Sequence, residues 1–186
     1  MRENYHKNLC GIDEAGRGPL AGPLVVAGVK FFDDIDTSLL TQLADSKKLT
    51  EKKREKLYDI IIKNSEYSIV FSSSKQIDQD GLSLCLHNSI QQIINKIDAK
   101  EYLMDGNTTF GVEGVKSLIK ADDKIYEVSA ASILAKVSRD RYMYDIANLY
   151  PNYSFDKHKG YGTKLHKEAI AKYGLCEIHR KSFKIK

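Results

Sequence analysis

The segment LVVAGVKFF, residues 24–32, is an almost unbroken apolar run. A run of this length predicts a β-strand that is buried on both faces of a sheet. Shorter strands are predicted at Leu9–Ile12 and Tyr67–Ser72, and these first three strands could form a meander, because the glycine- and proline-rich link GPLAGP favours a turn. A strand that is buried on both faces needs helices on both sides of its sheet.

Helical patterns follow along the chain. Thr50 can cap a helix over residues 50–64, and an apolar stripe predicts a second helix over residues 82–97. EYLMDGN, at 101–107, predicts a short buried strand that ends in an acid and a turn, and KSLIKADD, at 116–123, repeats that pattern. A long helix over 128–149 and a short one over 163–173, which Gly174 ends, complete a mixed α/β pattern.

Length and composition favour a single main domain. The chain has 186 residues, 42% of them apolar, and its three prolines mark no credible linker between domains. We therefore predict an α/β core over 1–150 and a small, basic, helical C-terminal segment over 151–186 that packs on it.

Several protein classes are excluded by what the sequence lacks. It has no run of about 18 apolar residues, as a membrane span needs, and its first residues lack the apolar region of a secretory signal. Cys10, Cys85 and Cys176 are too few and too widely spaced for a disulfide framework or a metal clamp, and we interpret them as buried thiols. These features predict a cytoplasmic protein without a membrane partner.

Three apolar segments end in acids. They lead into Asp13–Glu14, into Asp105 and into Asp122–Asp123. Functional groups of an open α/β sheet gather beyond the strand ends, where clustered carboxylates would repel one another unless a cation lay between them. Hard divalent cations prefer oxygen ligands, and four acids could hold two ions about 4 Å apart for in-line phosphoryl displacement.

Each of these acids also has a plain structural interpretation. Asp105 before Gly106 is typical of a turn, and Asp122–Asp123 could cap or precede another turn. Asp13–Glu14 is harder to explain in this way, because alternation along the strand turns the two side chains to opposite faces. The metal hypothesis therefore depends on all three segments meeting in space.

The loop that follows the first acids reads Gly16-Arg17-Gly18. Two glycines let the backbone approach a ligand closely, and arginine presents a planar fork suited to phosphate. The spacing fits neither the P-loop nor the Rossmann dinucleotide motif. A tight turn with a solvent-facing arginine is the structural alternative.

The C-terminal segment is basic and aromatic. Residues 151–186 contain nine Lys/Arg and three acids, with five tyrosines and phenylalanines among them. This composition suits a polyanion with stackable bases, although a solvated lysine-rich helix face would look the same. His158, His166 and His179 lack the close spacing of a zinc site, and we interpret them as phosphate-binding or structural groups. The Arg139-Asp140-Arg141 run lies inside a helix, where charge pairing between neighbouring turns is its plain structural interpretation.

Six motifs, in order, resemble those of ribonuclease HII, the type 2 ribonuclease H family. They span almost the whole chain: GIDEAGRGPLAGP at 11–23, DSKKLT at 45–50, DGN at 105–107, AASILAKVSRDR at 130–141, HKGYGT at 158–163 and IHRKSF at 178–183. The resemblance implies a ribonuclease H-like fold, with a five-stranded mixed sheet flanked by helices and a C-terminal helical segment. It also implies an endonuclease that cuts the RNA strand of RNA–DNA hybrids and nicks 5′ of single ribonucleotides in duplex DNA.

The resemblance also assigns roles to individual residues. The catalytic carboxylates that bind Mg²⁺ or Mn²⁺ would be those of Asp13, Glu14, Asp105 and Asp122. The Gly16-Arg17-Gly18 loop would recognise the 2′-hydroxyl of the ribonucleotide. Tyr161 matches a tyrosine that stacks on the following deoxyribose, and we interpret Lys47 as a phosphate contact. Many bacterial members read Lys-Gly-Asp where this chain has Lys120-Ala121-Asp122, so Asp123 competes for the fourth position; the offset from Asp105 favours Asp122.

These expectations define one main hypothesis and two rivals. The main hypothesis is a monomeric two-metal endoribonuclease that leaves 3′-hydroxyl and 5′-phosphate ends. One rival is another ribonuclease H-fold nuclease, such as a junction resolvase, which the glycine loop and Tyr161 argue against. The other is a non-catalytic hybrid-binding module, which would not need the complete set of acids present here.

Overall fold

The computed structural model describes residues 6–43 and 49–185 and is built around a five-stranded mixed sheet with the strand order β3-β2-β1-β4-β5. The first three strands form an antiparallel meander, whereas β4 is parallel to β1 and β5 is parallel to β4. This architecture confirms the predicted fold class. The strands are β1 Leu9–Ala15, β2 Leu24–Phe31, β3 Ser65–Ser72, β4 Glu101–Asp105 and β5 Val115–Leu118.

Strand β2 is buried along almost its whole length, as its apolar run predicts. Val25, Ala27 and Val29 point into one apolar layer, whereas Leu24 and Val26 point into the layer on the other face of the sheet. Burial of apolar surface on both faces stabilises a strand by about 25 cal/mol for each Å² removed from water. Two cores therefore hold the sheet between layers of helices.

The predicted helices are present, with shifted boundaries. Thr50 caps α2 by accepting a hydrogen bond from the Lys53 amide (3.3 Å), and Thr163 caps α6. Gly174 follows α6 at a φ of 77°, as expected for a residue that ends a helix. The helices are α1 Thr37–Thr41, α2 Glu51–Lys63, α3 Ser74–Lys96, α4 Tyr126–Leu149, α5 Phe155–His158 and α6 Lys164–Tyr173.

Helix α3 begins earlier than the apolar stripe over 82–97 indicates. A capping box starts it, in which Ser73 and Gln76 bond to each other's main-chain amides. Gly81 then breaks the helical geometry with a φ of 77° and a ψ of 160°. The stripe therefore predicted the part after the break and missed the polar turn before it.

The segment KSLIKADD does not form a second buried strand that ends in acids, so that expectation is wrong. Strand β5 lies at the sheet edge and exposes most of its side chains, and Ile119 after it is 62% exposed. The acids belong instead to a 3₁₀ turn at Ala121–Asp123, which follows Lys120 in a left-handed conformation. Edge position explains the exposure, because no further strand or helix covers β5 among the described residues.

Helix α4 packs closely against β1 and carries the centre of the larger core. Gly11 makes this approach possible, since a Cβ atom at that position would collide with the main chain of Glu127. Close packing of α4 brings its C-terminal half under the loop that follows β1. No helix among the described residues is long and apolar enough to cross a membrane.

The C-terminal segment returns to the loop between β1 and β2. Main-chain hydrogen bonds join Gly22 to Ile178 (2.9 Å) and Arg180 to Leu20 (2.8 Å). An isolated bridge joins Ala21 to His179. These contacts bring the segment over 151–186 against the core, and the division of the chain at residue 150 stays a prediction.

Three buried histidines order the segment that carries Tyr161. The Gly160 amide donates to Nδ1 of His158 (3.2 Å), so the other nitrogen of that ring, Nε2, carries the proton that it donates to the Tyr153 carbonyl (2.7 Å). The ring of His158 also stacks on His166, with centroids 4.4 Å apart. These contacts fix the backbone immediately before Tyr161.

The other two imidazoles continue the same network. The Cys176 amide donates to Nδ1 of His179 (2.9 Å), so Nε2 of His179 donates to Nε2 of His166 (3.0 Å). His166 then uses Nδ1 to donate to the Tyr161 carbonyl (3.0 Å). Every ring nitrogen in this pattern has a partner only when the rings are neutral. These hydrogen bonds favour the structural interpretation of the three histidines.

This network predicts that the protein loses stability in mild acid. Burial lowers the pKa of His166 from 6.5 to about 4. The unfolded chain thus takes up a proton first as the pH falls, so the free energy of unfolding should decrease between pH 6.5 and about 4. We expect thermal unfolding, followed over this pH range, to show a smaller decrease for His166→Gln than for the wild type.

His87→Gln is the matched control for this measurement. His87 lies outside the network and bonds to the Phe110 carbonyl (3.0 Å). Its replacement should leave the slope of stability against pH close to that of the wild type. Equal slopes for the wild type and His166→Gln would contradict the assignment of a neutral network.

Candidate metal centre and substrate cleft

The sheet register brings Asp13 and Asp105 to the same edge. Strand β1 pairs in parallel with β4 so that Ile12 lies opposite Met104, and the next residue of each strand is an acid. The turn that follows β5 adds Asp122. One carboxylate oxygen from each of these three residues lies within 4.8 Å of the others. The structure therefore brings together acids from three separate segments, as the metal hypothesis requires.

Main-chain amides hold two of these carboxylates in place. Oδ1 of Asp13 accepts from the Glu14 amide (2.7 Å), and Oδ1 of Asp105 accepts from the Ala121 amide (2.7 Å). The second bond ties β4 to the turn that carries Asp122. Asp122 is buried in the cluster, whereas its neighbour Asp123 is exposed and lies outside it. The geometry therefore favours Asp122 over Asp123.

Glu14 lies beside the cluster rather than within it. Its Oε1 accepts from Nη1 of Arg17 at 3.2 Å, and its Oε2 is buried without a hydrogen-bond partner among the described residues. A buried carboxylate oxygen without a partner is costly, so a ligand at this position would stabilise the site. The orphan oxygen is thus an observation in favour of a cation beside Glu14.

The electrostatics of the cluster lead to the same conclusion. Burial raises the pKa of Asp13 well above its usual value, and the charges of Glu14, Asp105 and Asp122 raise it further. Burial also raises the pKa of Glu14, which Arg17 opposes. A divalent cation would remove this repulsion, and carboxylate oxygens are the ligands that hard cations prefer. The donor set therefore fits a hard divalent cation.

A cleft of about 410 Å³ opens beside Glu14. The glycine loop and Tyr161 both line it, and Tyr161 is 44% exposed there. The Arg17 guanidinium lies 5.5 Å from the centroid of the Phe110 ring, a distance typical of a cation–π contact. The residues that line the cleft are Glu14, Ala15, Gly16, Arg17, Gly18, Arg54, Ser132, Ile133, Lys136 and Tyr161.

Sequence reasoning missed part of this lining. Ser132 and Lys136 share one face of α4, as their spacing indicates, but no local pattern places that face in the cleft. Arg54 comes from α2, where it looks like one surface cation among several. Only tertiary packing distinguishes it. Lys47, the predicted phosphate contact, lies outside the described residues.

Comparison with known proteins gives consistent results. The family model for ribonuclease HII matches residues 10–186. The chain is similar to the ribonuclease HII of Sulfurovum sp. (strain NBC37-1), with 59% identity over 184 residues that cover 99% of this chain and 95% of the relative. It is also similar to that of Aliarcobacter butzleri (strain RM4018), with 60% identity over 182 residues that cover 97% and 92%.

A solved structure shares the whole architecture. It is the complex of PCNA with RNase HII from Archaeoglobus fulgidus, and the superposition has a TM-score of 0.81 at 28% sequence identity. The match covers 96% of each chain. The likeness therefore includes the C-terminal segment as well as the sheet.

Proposed function

The chain belongs to the ribonuclease HII family, and from this premise we propose that it nicks DNA duplexes 5′ of a single embedded ribonucleotide. It is a metal-dependent hydrolase that acts on RNA in RNA–DNA hybrids. The proposal adds the finer chemistry, in which phosphodiester hydrolysis leaves 3′-hydroxyl and 5′-phosphate ends. One observation carries it: the glycine loop and Tyr161 line a cleft that opens beside Glu14, the residue that follows Asp13 of the acid cluster.

The acids are proposed to hold two Mg²⁺ or Mn²⁺ ions. Asp13, Asp105 and Asp122 offer converging oxygens, and Glu14 contributes its free Oε2. When bound, such ions activate water as a nucleophile and stabilise the charge on the leaving oxygen. The protein's contribution is to fix the carboxylates of Asp13 and Asp105 through main-chain amides before the substrate arrives.

The glycine loop is proposed to recognise the ribonucleotide. Only the 2′-hydroxyl distinguishes RNA from DNA at a given position, and it is both a donor and an acceptor. Gly18 lines the cleft and has open space where a Cβ atom would lie, so it leaves the main chain of the cleft wall open to this group. Arg17 is placed to bind the adjacent phosphate through its planar fork, because half of its side chain is exposed beside Glu14.

Tyr161 and the basic C-terminal segment complete the proposed substrate contacts. The exposed ring of Tyr161 can stack on the deoxyribose that follows the ribonucleotide, and the lysines of residues 151–186 can contact duplex phosphates. Action as a monomer is part of the proposal. A cytoplasmic location belongs to the same proposal, since the hybrids and duplexes involved are intracellular.

The direct test is a DNA duplex that contains one ribonucleotide. We expect the wild-type protein with Mg²⁺ or Mn²⁺ to produce a single nick 5′ of that residue, with 3′-hydroxyl and 5′-phosphate ends identified on a sequencing gel. EDTA should abolish the nick, and the same duplex without the ribonucleotide should stay intact. A protein that cuts a long RNA–DNA hybrid but leaves the single ribonucleotide uncut would overturn the proposal.

A further inference from the structure

Two buried arginines lie beneath the glycine loop and bind its main chain. Arg180 is 2% exposed and donates to the carbonyls of Gly16 (2.7 Å), Arg17 (3.2 Å) and Gly22 (3.0 Å). A guanidinium has five N–H donors in a rigid fork, so it can fix several carbonyls at once. The Arg180 guanidinium therefore fixes the main chain of the glycine loop at Gly16 and Arg17, and it also fixes the backbone at Gly22.

Arg139 binds the end of the link between β1 and β2 and the backbone just before Tyr161. It is 1% exposed and donates to the carbonyls of Ala21 (3.1 Å), Pro23 (2.9 Å) and Lys159 (2.9 Å). Its Nη1 is buried without a hydrogen-bond partner in the described part of the chain. The sequence interpretation of Arg139 as one of a set of paired helix charges is therefore wrong. Lys136 pairs with Asp140 and Arg141 with Glu55, whereas Arg139 points inward to carbonyls.

Neither guanidinium forms an ion pair within residues 6–43 and 49–185. Burial lowers the pKa of both side chains, that of Arg180 to about 10, and the charge of Arg139 contributes to the shift of Arg180. Burying a cation without a counter-charge destabilises the folded state, because the charge loses its hydration. A neutral side chain would avoid that cost if only packing were required.

Arg139 also contacts the second element of the cleft. Its guanidinium carbon lies 5.7 Å from the centroid of the Tyr161 ring, and its bond to the Lys159 carbonyl holds the backbone two residues before that tyrosine. On the other side, a Cβ atom on Gly16 would collide with the Arg139 side chain. One buried side chain thus touches both the glycine loop and the tyrosine that faces it across the cleft.

We propose that Arg139 and Arg180 are positioning residues that hold the Gly16–Gly18 loop and Tyr161 in a single geometry for a ribonucleotide. Their buried positive charge is balanced by the substrate phosphate when the cleft fills. This inference rests on the proposed function, because it assigns to the pair the discrimination between a ribonucleotide and a deoxyribonucleotide. Neither residue is placed in contact with the reacting atoms.

The test compares two substrates and three variants. Arg180→Met removes charge and fork, Arg180→Lys keeps the charge without the fork, and Arg141→Met is the matched control on an exposed part of α4. The values of kcat and KM are measured on a duplex with one ribonucleotide and on a long RNA–DNA hybrid, with thermal unfolding measured on the same preparations. The ratio of the two kcat/KM values does not depend on the fraction of folded protein.

We expect Arg180→Met to lose about 100-fold in kcat/KM on the single ribonucleotide, which is typical of a small displacement of a group that positions substrate. The loss in kcat/KM on the hybrid should be several-fold smaller. An RNA–DNA hybrid has a ribonucleotide at every position of its RNA strand, so its cleavage depends less on the exact position of the loop. Arg180→Lys should recover part of KM, through its charge, but little of kcat. Arg141→Met should match the wild type on both substrates.

Two results would overturn the inference. One is an equal loss on both substrates, which indicates a purely structural role; the other is full recovery by Arg180→Lys, which shows that the fork is not needed. If Arg180→Met does not fold, Arg180→Lys decides between these outcomes through its ratio of activities. Failure of the wild type to nick the single ribonucleotide is a different result, and it would reject the proposed function itself.

Discussion

Asp13→Asn should reduce cleavage of an RNA–DNA hybrid by at least about 1,000-fold, while the metal-free protein becomes no less stable than the wild type. Metal-activated water and a stabilised leaving group contribute several kcal/mol, and about 1.4 kcal/mol corresponds to a factor of ten in rate. Loss of one carboxylate from the cluster removes that contribution. It also removes like-charge repulsion at a buried position, where burial and neighbouring acids already raise the pKa of Asp13.

Stability and activity should therefore change independently at this site. Mg²⁺ should raise the unfolding temperature of the wild type by mass action, because the folded site binds it and the unfolded chain does not. Asp13→Asn should show a smaller rise with Mg²⁺ and an equal or higher unfolding temperature in EDTA. Asp105→Asn is expected to behave in the same way, since its carboxylate belongs to the same cluster.

Asp123→Asn is the matched control for the acid variants. Asp123 is exposed, adjoins Asp122 and lies outside the cluster, so its replacement should leave the rate within a few-fold of the wild type. A large loss in Asp123→Asn together with an active Asp122→Asn would reverse the assignment of the fourth acid. If Asp13→Asn unfolds in EDTA at a clearly lower temperature than the wild type, Asp13 is a structural residue.

Local patterns predicted much of the fold because the corresponding interactions are local. The apolar run at 24–32 predicted β2, and Thr50 and Gly174 predicted the ends of two helices, since capping depends on residues within one turn. Acids at strand ends predicted the meeting of Asp13 and Asp105, because parallel strands bring their C-terminal ends to one edge, whereas Asp122 comes from the turn after β5. These inferences need only the order of the elements and the direction of the strands.

Features that depend on contacts between distant segments could not be predicted in this way. Arg139 reaches carbonyls 116 and 118 residues away along the chain, and Arg180 reaches carbonyls 158 to 164 residues away. Neither arginine differs in local pattern from a surface cation. The exposed edge strand β5 was misjudged for a related reason, because the pattern of a four-residue strand does not reveal whether another element covers it.

Gly16→Ala should lower kcat/KM by about 100-fold on a single-ribonucleotide duplex, with a loss several-fold smaller on an RNA–DNA hybrid, and it should also destabilise the protein. Gly16 has a φ of 96°, where an L-residue with a side chain is strained. Its added methyl group would lie 2.6 Å from the Pro23 carbonyl oxygen and would collide with Arg139. The loop can relieve this collision and backbone strain only by moving away from the buried Arg139 guanidinium. The measurement combines steady-state kinetics with chemical denaturation.

Gly18→Ala separates the shape of the loop from its contact with substrate. A Cβ atom at Gly18 meets no other atom within 4 Å, and the residue lines the open cleft, so the variant should unfold at the wild-type denaturant concentration. If the main chain of the loop contacts the ribose closely, the added methyl should still raise KM, by about tenfold, with little change in kcat. Gly16→Ala must then be the more damaging of the two in both stability and rate. Wild-type kinetics in both variants would show that substrate does not approach this backbone, and the glycine loop would lose its proposed role.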